Sequence, residues 1–138
     1  FTVYGPWGRP DMAYFKFSQA ILDEQAIDVY NFGRMKRDFT FIDDIIEGTI
    51  AALDGDFSYE IINLGNSEPV ELEYFISVLE DSLGKKAQKN YLPIQAGDVE
   101  KTYANISRAQ EKLGYSPVTS IEEGIKRFVE WYKDYYKN

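Results

Sequence analysis

The chain alternates between short strand-like runs and longer segments whose apolar residues recur every three or four positions. Segment 42–54 shows the helical pattern most clearly, with an apolar stripe of Ile42, Ile45, Ile46, Thr49, Ile50 and Leu53. Helices are predicted over residues 12–24, 42–54, 72–83 and 107–113 and beyond residue 120, and strands over residues 1–4, 27–33, 37–42, 59–65 and 89–94. This order predicts an α/β fold with several short strands and about five helices, without a regular series of parallel βαβ units.

Residues that favour helix ends mark several of these boundaries. Asp11 is a candidate N-cap for the first helix, and Gly84 and Gly114 stand where helices commonly end in a left-handed residue. A capping box is predicted for the last helix, formed by Thr119 with Glu122 or by Ser120 with Glu123. The apolar stripe of that helix is predicted to consist of Ile121, Ile125, Phe128, Tyr132 and either Tyr135 or Tyr136.

The composition excludes several kinds of chemistry. The 138 residues include no histidine and no cysteine, which removes the commonest general base, thiolate nucleophiles, disulfides and the commonest metal ligands. The net charge of −8 argues against a nucleic-acid partner. The sequence shows neither an apolar run long enough to span a membrane nor a signal peptide, so a cytoplasmic protein is expected.

One local cluster of basic residues stands out in this acidic chain. Residues 32–39 contain Arg34, Lys36 and Arg37 within a short stretch. An acidic chain can bind an anion only where cations gather locally, so this segment is the candidate anion site. Arg34 and Lys36 are expected to lie in a solvated turn.

The sequence contains no convincing catalytic set. Its glycines offer only Gly5-x-x-Gly8, which favours a turn over a phosphate-binding loop. No tyrosine is followed four residues later by a lysine, the pair that would supply a phenolate base. Asp43 and Asp44 are adjacent at a helix start, where favourable interaction with the helix dipole is the better interpretation.

Two segments, FTVYGPWGRPDMA and DVYNFGRMKRDFTFIDDIIEG, resemble the nucleotide-sugar epimerases of the extended short-chain dehydrogenase superfamily, most of all the UDP-glucuronate 4-epimerases. Later segments fit the same family in the same order, namely IINLGNSEPVEL, GDVEKTYANISRAQEKLGYSP and SIEEGIKRFVEWY. The resemblance implies a C-terminal, substrate-binding portion whose Rossmann domain is missing. Residues 1–10 would be the crossover strand and loop from that domain, and residues 11–138 the nucleotide-sugar binding domain.

The resemblance also implies a reaction, the NAD-dependent conversion of UDP-glucuronate to UDP-galacturonate. A tyrosine phenolate takes the proton of the sugar 4-hydroxyl while hydride passes from C4 to NAD, and hydride returns to the other face after the 4-keto sugar has turned. The glycine fingerprint and the Tyr-x-x-x-Lys pair would belong to the missing domain. The chain alone is therefore expected to bind no NAD and to be inactive, and the parent is expected to be a homodimer formed through that domain.

Other functions remain open. UDP-glucuronate decarboxylases and nucleotide-sugar 4,6-dehydratases belong to the same superfamily, and the residues that select their chemistry would lie in the missing half. The string GRPDM favours the epimerases. A stand-alone module that binds UDP-sugars without turnover is a further alternative.

Substrate contacts are implied, by the same resemblance, at Thr2, Arg9, Met12, Asp28, Tyr30, Arg37, Gln95 and Asp98. Asp28 and Tyr30 would hold the uracil through backbone groups, Met12 would pack on the uridine, and Thr2 would contact the sugar near its carboxylate. Arg9 would lie near the substrate, and Phe1 on the nicotinamide side of the cofactor.

Arg37 is the strongest of these candidates, because a planar guanidinium suits a pyrophosphate. The structural alternative is an arginine at a hairpin end, paired with Asp38 or Asp43. Gln95 stands where the galactose epimerases carry a second pyrophosphate arginine, so Arg37 would bind more of the phosphate charge. Asp98 would orient its loop or bind a ribose hydroxyl.

The absence of the Rossmann sheet has two expected consequences for this chain. Strand 1–4 should lack partners in a ladder. The surface that faced the sheet should be exposed and partly apolar.

Overall fold

The computed structural model describes residues 1–136, which form five helices and five short strands. The strands are β1 (Thr2–Tyr4), β2 (Ala26–Tyr30), β3 (Lys36–Phe41), β4 (Pro69–Glu71) and β5 (Gln88–Leu92). The helices are α1 (Ala13–Leu22), α2 (Ile42–Asp54), α3 (Leu72–Leu83), α4 (Ser107–Leu113) and α5 (Ile121–Tyr136). The α/β class is confirmed, and α2, α3 and α4 have the predicted bounds.

The strands form two separate sheets. In the first, β3 lies between β1, which is parallel to it, and β4, which is antiparallel. In the second, β2 and β5 pair in parallel, with Asp28 opposite Asn90. The expectation that strand 1–4 would lack partners is therefore wrong, because Thr2 and Tyr4 lie opposite Phe39 and Phe41 in the register of β1 and β3.

Aromatic side chains dominate the main core. Phe128 of α5 is fully buried, and its ring packs edge-to-face on Tyr14 of α1 at a centroid distance of 4.9 Å. Phe39 of β3 stacks on Phe75 of α3 at 4.5 Å. All four rings belong to one buried core that joins α1, α3 and α5 to β3, so the strand that carries Arg37 is fixed against this core.

The helix ends confirm most of the capping predictions. Gly84 and Gly114 adopt left-handed conformations, with φ of 74° and 64°, as predicted for C-terminal residues. Ser120 Oγ accepts a hydrogen bond from the Glu123 backbone N–H at 3.2 Å, so the second alternative for the capping box is the better one. Asp11 does not cap α1, because Met12 is the N-cap and the Asp11 carboxylate pairs with Arg9 instead.

The strand predicted over residues 59–65 is absent. Its apolar alternation is real: Ile62 and Leu64 pack on a small second core that contains Tyr115, while Tyr59 and Ile61 are 79% and 68% exposed. No strand among residues 1–136 lies beside this segment, and a strand requires a partner for its backbone hydrogen bonds. The alternation alone could not show that the partner would be missing.

Exposed apolar side chains also follow one face of α2. Ile46, Ile50 and Leu53 are 47%, 52% and 78% exposed, and their spacing places them on one side of the helix. An exposed and partly apolar surface was expected where the missing domain would lie, and that location stays a prediction. Within residues 1–136, no helix has the length and apolar character needed to cross a membrane.

Candidate functional site

A cleft of about 250 Å³ lies between α1, the strands β2 and β3, and the loop that follows β5. Most of the predicted substrate residues line this one cleft, namely Thr2, Met12, Asp28, Tyr30, Arg37 and Asp98. They come from separate parts of the sequence, and folding brings them together. The cleft is therefore the candidate site.

A tight turn places β2 and β3 on the same cleft. Residues Asn31–Gly33 form a tight turn in which all three backbones are left-handed, with φ of 49° at Asn31, 51° at Phe32 and 80° at Gly33, a conformation that favours glycine. Along β2, Ile27 and Val29 are buried in the core, so the alternating side chains of Asp28 and Tyr30 face the other side. The turn thus joins the strand that carries these two residues to the strand that carries Arg37.

Arg37 is held from two sides. Its Nη2 donates to Asp98 Oδ1 at 2.7 Å, and its Nη1 donates to the carbonyl oxygens of Lys36 and Glu100 at 3.0 and 3.4 Å. The Arg37 side chain is 21% exposed. The predicted alternative partners are not used, because Asp43 pairs with Arg127 and Asp38 binds backbone N–H groups. Arg37 therefore presents a guanidinium of fixed position to the cleft.

Asp38 explains why Asp98 reaches Arg37. The Asp38 side chain is fully buried, and its carboxylate accepts hydrogen bonds from the backbone N–H groups of Asn66, Ser67 and Ala104 at 2.9, 3.1 and 2.8 Å. The Asp38 N–H donates to Thr102 Oγ1 at 3.1 Å. These bonds hold segment 102–104 against β3, and thereby hold the loop that carries Asp98 beside the cleft.

The apolar wall of the cleft was not predicted as part of the site. Tyr14, Phe17, Met35 and Leu72 line it, together with Phe39, Val70 and Ala13. Tyr14 and Phe17 lie three positions apart in α1, and such helical spacing does not distinguish a core face from a cleft wall. Burial raises the pKa of Tyr14, which keeps this phenol neutral at physiological pH.

Three predicted residues lie outside this cleft or at its edge. Phe1 and Arg9 line a neighbouring groove of about 400 Å³, which shares Met12 and Tyr14 with the cleft. The Arg9 side chain is bound to the Asp11 carboxylate by two hydrogen bonds. Gln95 is exposed, and its carbonyl oxygen accepts the Asp98 N–H at 3.1 Å. Gln95 thus shapes the turn before Asp98 through its backbone.

The expected solvated turn is only partly found. Arg34 is exposed, with its guanidinium 5.8 Å from the ring centre of Phe32. Lys36 instead pairs with Glu71 of the adjacent strand at 2.8 Å. Of the cations in segment 32–39, only Arg37 lines the cleft.

Comparison with known proteins shows which family the sequence of this chain is similar to. Residues 1–65 match the family of NAD dependent epimerases and dehydratases. An uncharacterized protein of Methanocaldococcus jannaschii is 57% identical over 132 residues, which cover 96% of this chain and 40% of that protein. UDP-glucuronate 4-epimerase 4 of Arabidopsis thaliana is 46% identical in a gapped alignment of 153 positions, which covers 99% of this chain and 35% of that enzyme.

A solved structure agrees with these relatives. The UDP-glucuronic acid 4-epimerase of Bacillus cereus, in complex with UDP-glucuronic acid and NAD, is 40% identical and superposes with a TM-score of 0.91. The match covers 99% of this chain and 44% of that one, so the chain spans less than half the length of these relatives. Its fold matches the C-terminal part of an epimerase of the extended short-chain dehydrogenase superfamily. The match of residues 1–65 to the NAD dependent epimerase/dehydratase family, together with these relatives, therefore supports an extended short-chain dehydrogenase nucleotide-sugar epimerase.

Proposed function

We propose that this chain is the substrate-binding part of a UDP-glucuronate 4-epimerase, which interconverts UDP-glucuronate and UDP-galacturonate through a 4-keto intermediate. The observation that carries the proposal is the cleft, in which Arg37 stands beside Asp28, Tyr30 and Met12. A guanidinium next to a mostly apolar cavity fits a nucleoside diphosphate, which has a flat ring at one end and charge at the other. The similarity to UDP-glucuronate 4-epimerases supports the choice of sugar.

Each residue then has a role in holding the nucleotide sugar. The backbone groups of Asp28 and Tyr30 hydrogen-bond the uracil edge, and Met12 packs on the uridine. Arg37 binds the diphosphate, and Thr2 contacts the sugar near its carboxylate. In this proposal Arg9 approaches the substrate from the neighbouring groove, and Gln95 supplies a neutral contact. The catalytic groups are not among residues 1–138.

The residues of this chain do not by themselves fit NAD. A dinucleotide needs a glycine-rich turn between a strand and a helix, and the chain has only Gly5-x-x-Gly8 before a proline-containing loop. Phe1 is the one residue proposed to contact the cofactor, and its side chain is 56% exposed. In this proposal NAD binding depends on the cofactor domain of the family.

The proposed domain division follows the resemblance. Residues 1–10 are the crossover strand and loop from the cofactor domain, and residues 11–138 are the nucleotide-sugar binding domain, of which 137 and 138 lie outside the described residues. The exposed apolar residues of α2, with Tyr59 and Ile61, are the proposed contact surface for the cofactor domain. A homodimer formed through the cofactor domain and a cytoplasmic location belong to the same proposal.

Titration with nucleotides tests this function. We expect UDP and UDP-glucuronate to bind weakly, because water reaches the diphosphate and weakens each charged contact. In nuclear magnetic resonance titrations, the amide signals of Asp28, Tyr30 and Arg37 should shift with either ligand. NAD should give no binding heat and no such shifts. A micromolar NAD site, or millimolar UDP without shifts at these residues, would contradict the proposal.

A further inference from the structure

The loop that carries Arg9 contains a tryptophan in an unusual backbone conformation. Trp7 has a φ of 62°, in the left-handed region that bulky residues rarely adopt and that glycine adopts freely. The residue is also 73% exposed, so burial of its indole offsets little of this strain. Strained backbones of this kind are concentrated at functional sites, which makes Trp7 a candidate for a role in ligand binding.

The Trp7 ring packs on two aromatic side chains near the C-terminal end of α5. Its centre lies 5.2 Å from that of Trp131 and 5.0 Å from that of Tyr135, and the latter two rings stack on each other at an angle of 20°. Trp131 in turn packs edge-to-face on the buried ring of Phe15 at 5.9 Å. The three side chains of Trp7, Trp131 and Tyr135, here called the aromatic anchor, therefore tie the loop to α5.

The glycines on both sides of this tryptophan fix the rest of the loop. A Cβ at Gly5 would lie only 2.7 Å from Ile42 Cγ2 of α2. A Cβ at Gly8 would overlap the hydroxyl oxygen of Tyr14 in α1. The loop thus lies closely against α2 and α1, and the aromatic anchor adds a contact with α5. These three contacts determine where the backbone places Arg9.

The Arg9 side chain has little other support. It is 74% exposed, and its two hydrogen bonds go to the carboxylate of Asp11, which is itself exposed and lies in the same segment. Among the described residues, Arg9 is also the only charged one that lines the groove beside the cleft. The groove shares Met12 and Tyr14 with the cleft, so an anionic sugar attached to a diphosphate in the cleft would have Arg9 as the cation of this groove.

We propose that Trp7 is a positioning residue, which holds its loop against α5 so that the Arg9 guanidinium faces the anionic sugar of a bound nucleotide sugar. This inference rests on the proposed function and adds a residue that acts only through Arg9. The nucleotide part of the ligand does not depend on Trp7, because Arg37 and the strand β2 belong to other elements. The aromatic anchor therefore affects the affinity for UDP-glucuronate and leaves the affinity for UDP unchanged.

The test measures the affinities for UDP and UDP-glucuronate of the whole chain and of its Trp7→Gly and Trp7→Phe variants, by calorimetry or by resonance titration. Trp7→Gly removes the indole and also relieves the left-handed strain, so the midpoint of urea unfolding should change little. We expect this variant to bind UDP-glucuronate about 3- to 10-fold more weakly, and UDP with less than about a 2-fold change. Trp7→Phe keeps a ring for the aromatic anchor and should recover most of the UDP-glucuronate affinity.

Two further variants make the comparison specific. Arg9→Ala should itself weaken the binding of UDP-glucuronate, and the addition of Trp7→Gly should cause no further loss, because Trp7 acts only through Arg9. Glu24→Gly relieves the same kind of strain, a φ of 57°, in the turn that follows α1, and should leave both affinities unchanged.

Each remaining outcome contradicts the inference. Equal weakening of UDP and UDP-glucuronate by Trp7→Gly would mean that Trp7 supports the whole cleft. A further loss on the Arg9→Ala background, or no recovery in Trp7→Phe, would mean that the indole acts on the ligand directly. If the wild type binds both ligands and Trp7→Gly changes neither affinity, the inference fails and the proposed function stands. If neither ligand binds any variant at millimolar concentration, both fail.

Discussion

Replacing Asp38 with alanine is expected to lower the free energy of unfolding by about 3–5 kcal/mol, since it leaves three buried or partly buried backbone N–H groups without an acceptor. The Asp38 carboxylate accepts from the backbones of Asn66, Ser67 and Ala104, and it is 0% exposed. Each buried donor that loses its partner costs about 1–3 kcal/mol, and water that enters the space left by the side chain recovers part of that cost. The three bonds also join segments that are far apart in the sequence.

Urea unfolding followed by circular dichroism measures this effect. Asp43→Ala is the matched control, because Asp43 is also an aspartate near the end of β3 but is 53% exposed and makes an ion pair with Arg127. The control should cost less than about 1 kcal/mol. Similar losses in the two variants would mean that the Asp38 network contributes little. Asp38→Asn should fall between the wild type and Asp38→Ala, because its amide retains one acceptor oxygen.

The local pattern of apolar residues and helix-ending glycines was sufficient to predict the helices. The apolar stripes of α2 and α3 are each continuous over three turns, and Gly84 and Gly114 end α3 and α4 as predicted. Such features depend on residues a few positions apart, which a sequence displays directly. The failed N-cap at Asp11 shows the limit of this reasoning, because a nearby cation, Arg9, binds the carboxylate that the helix would have used.

Pairing between distant segments could not be predicted in the same way. Segment 59–65 has the alternation of a strand, but a strand forms only where another one lies beside it. Conversely, β1 was expected to lack a partner and pairs with β3, while the short β4 was not predicted at all. In each case the outcome depends on a contact across many residues, for which the sequence pattern contains no signal.

The candidate site includes residues that the sequence predicted and a distant pairing that it did not. Its polar residues were identified through the family resemblance, and the structure gathers Asp28, Tyr30 and Arg37 in one cleft. The pair between Arg37 and Asp98 spans 61 positions and was not predicted, although both residues were. The buried role of Asp38 was also missed, because an aspartate beside an arginine is more simply interpreted as its ion-pair partner.

Arg37→Ala is expected to weaken the binding of UDP about 10- to 100-fold, which corresponds to the loss of one charge-assisted contact of about 1.5–3 kcal/mol. Arg37 is the only cation that lines the cleft among the described residues, so no neighbour can replace its charge. The substitution also leaves Asp98 without its partner, and this carboxylate then repels the diphosphate. The loss should therefore be larger at low salt than at moderate salt.

Arg34→Ala is the control for a cation that is close in sequence but solvated, since Arg34 is exposed and lies outside the lining of the cleft. It should change UDP affinity by less than about 2-fold, whereas Arg37→Lys should recover part of the affinity by restoring charge without the planar fork. Uridine distinguishes binding from folding, because a damaged cleft would lose uridine as well as UDP. If Arg34→Ala costs as much as Arg37→Ala, the effect comes from the general field of the chain, and Arg37 makes no specific contact with the diphosphate.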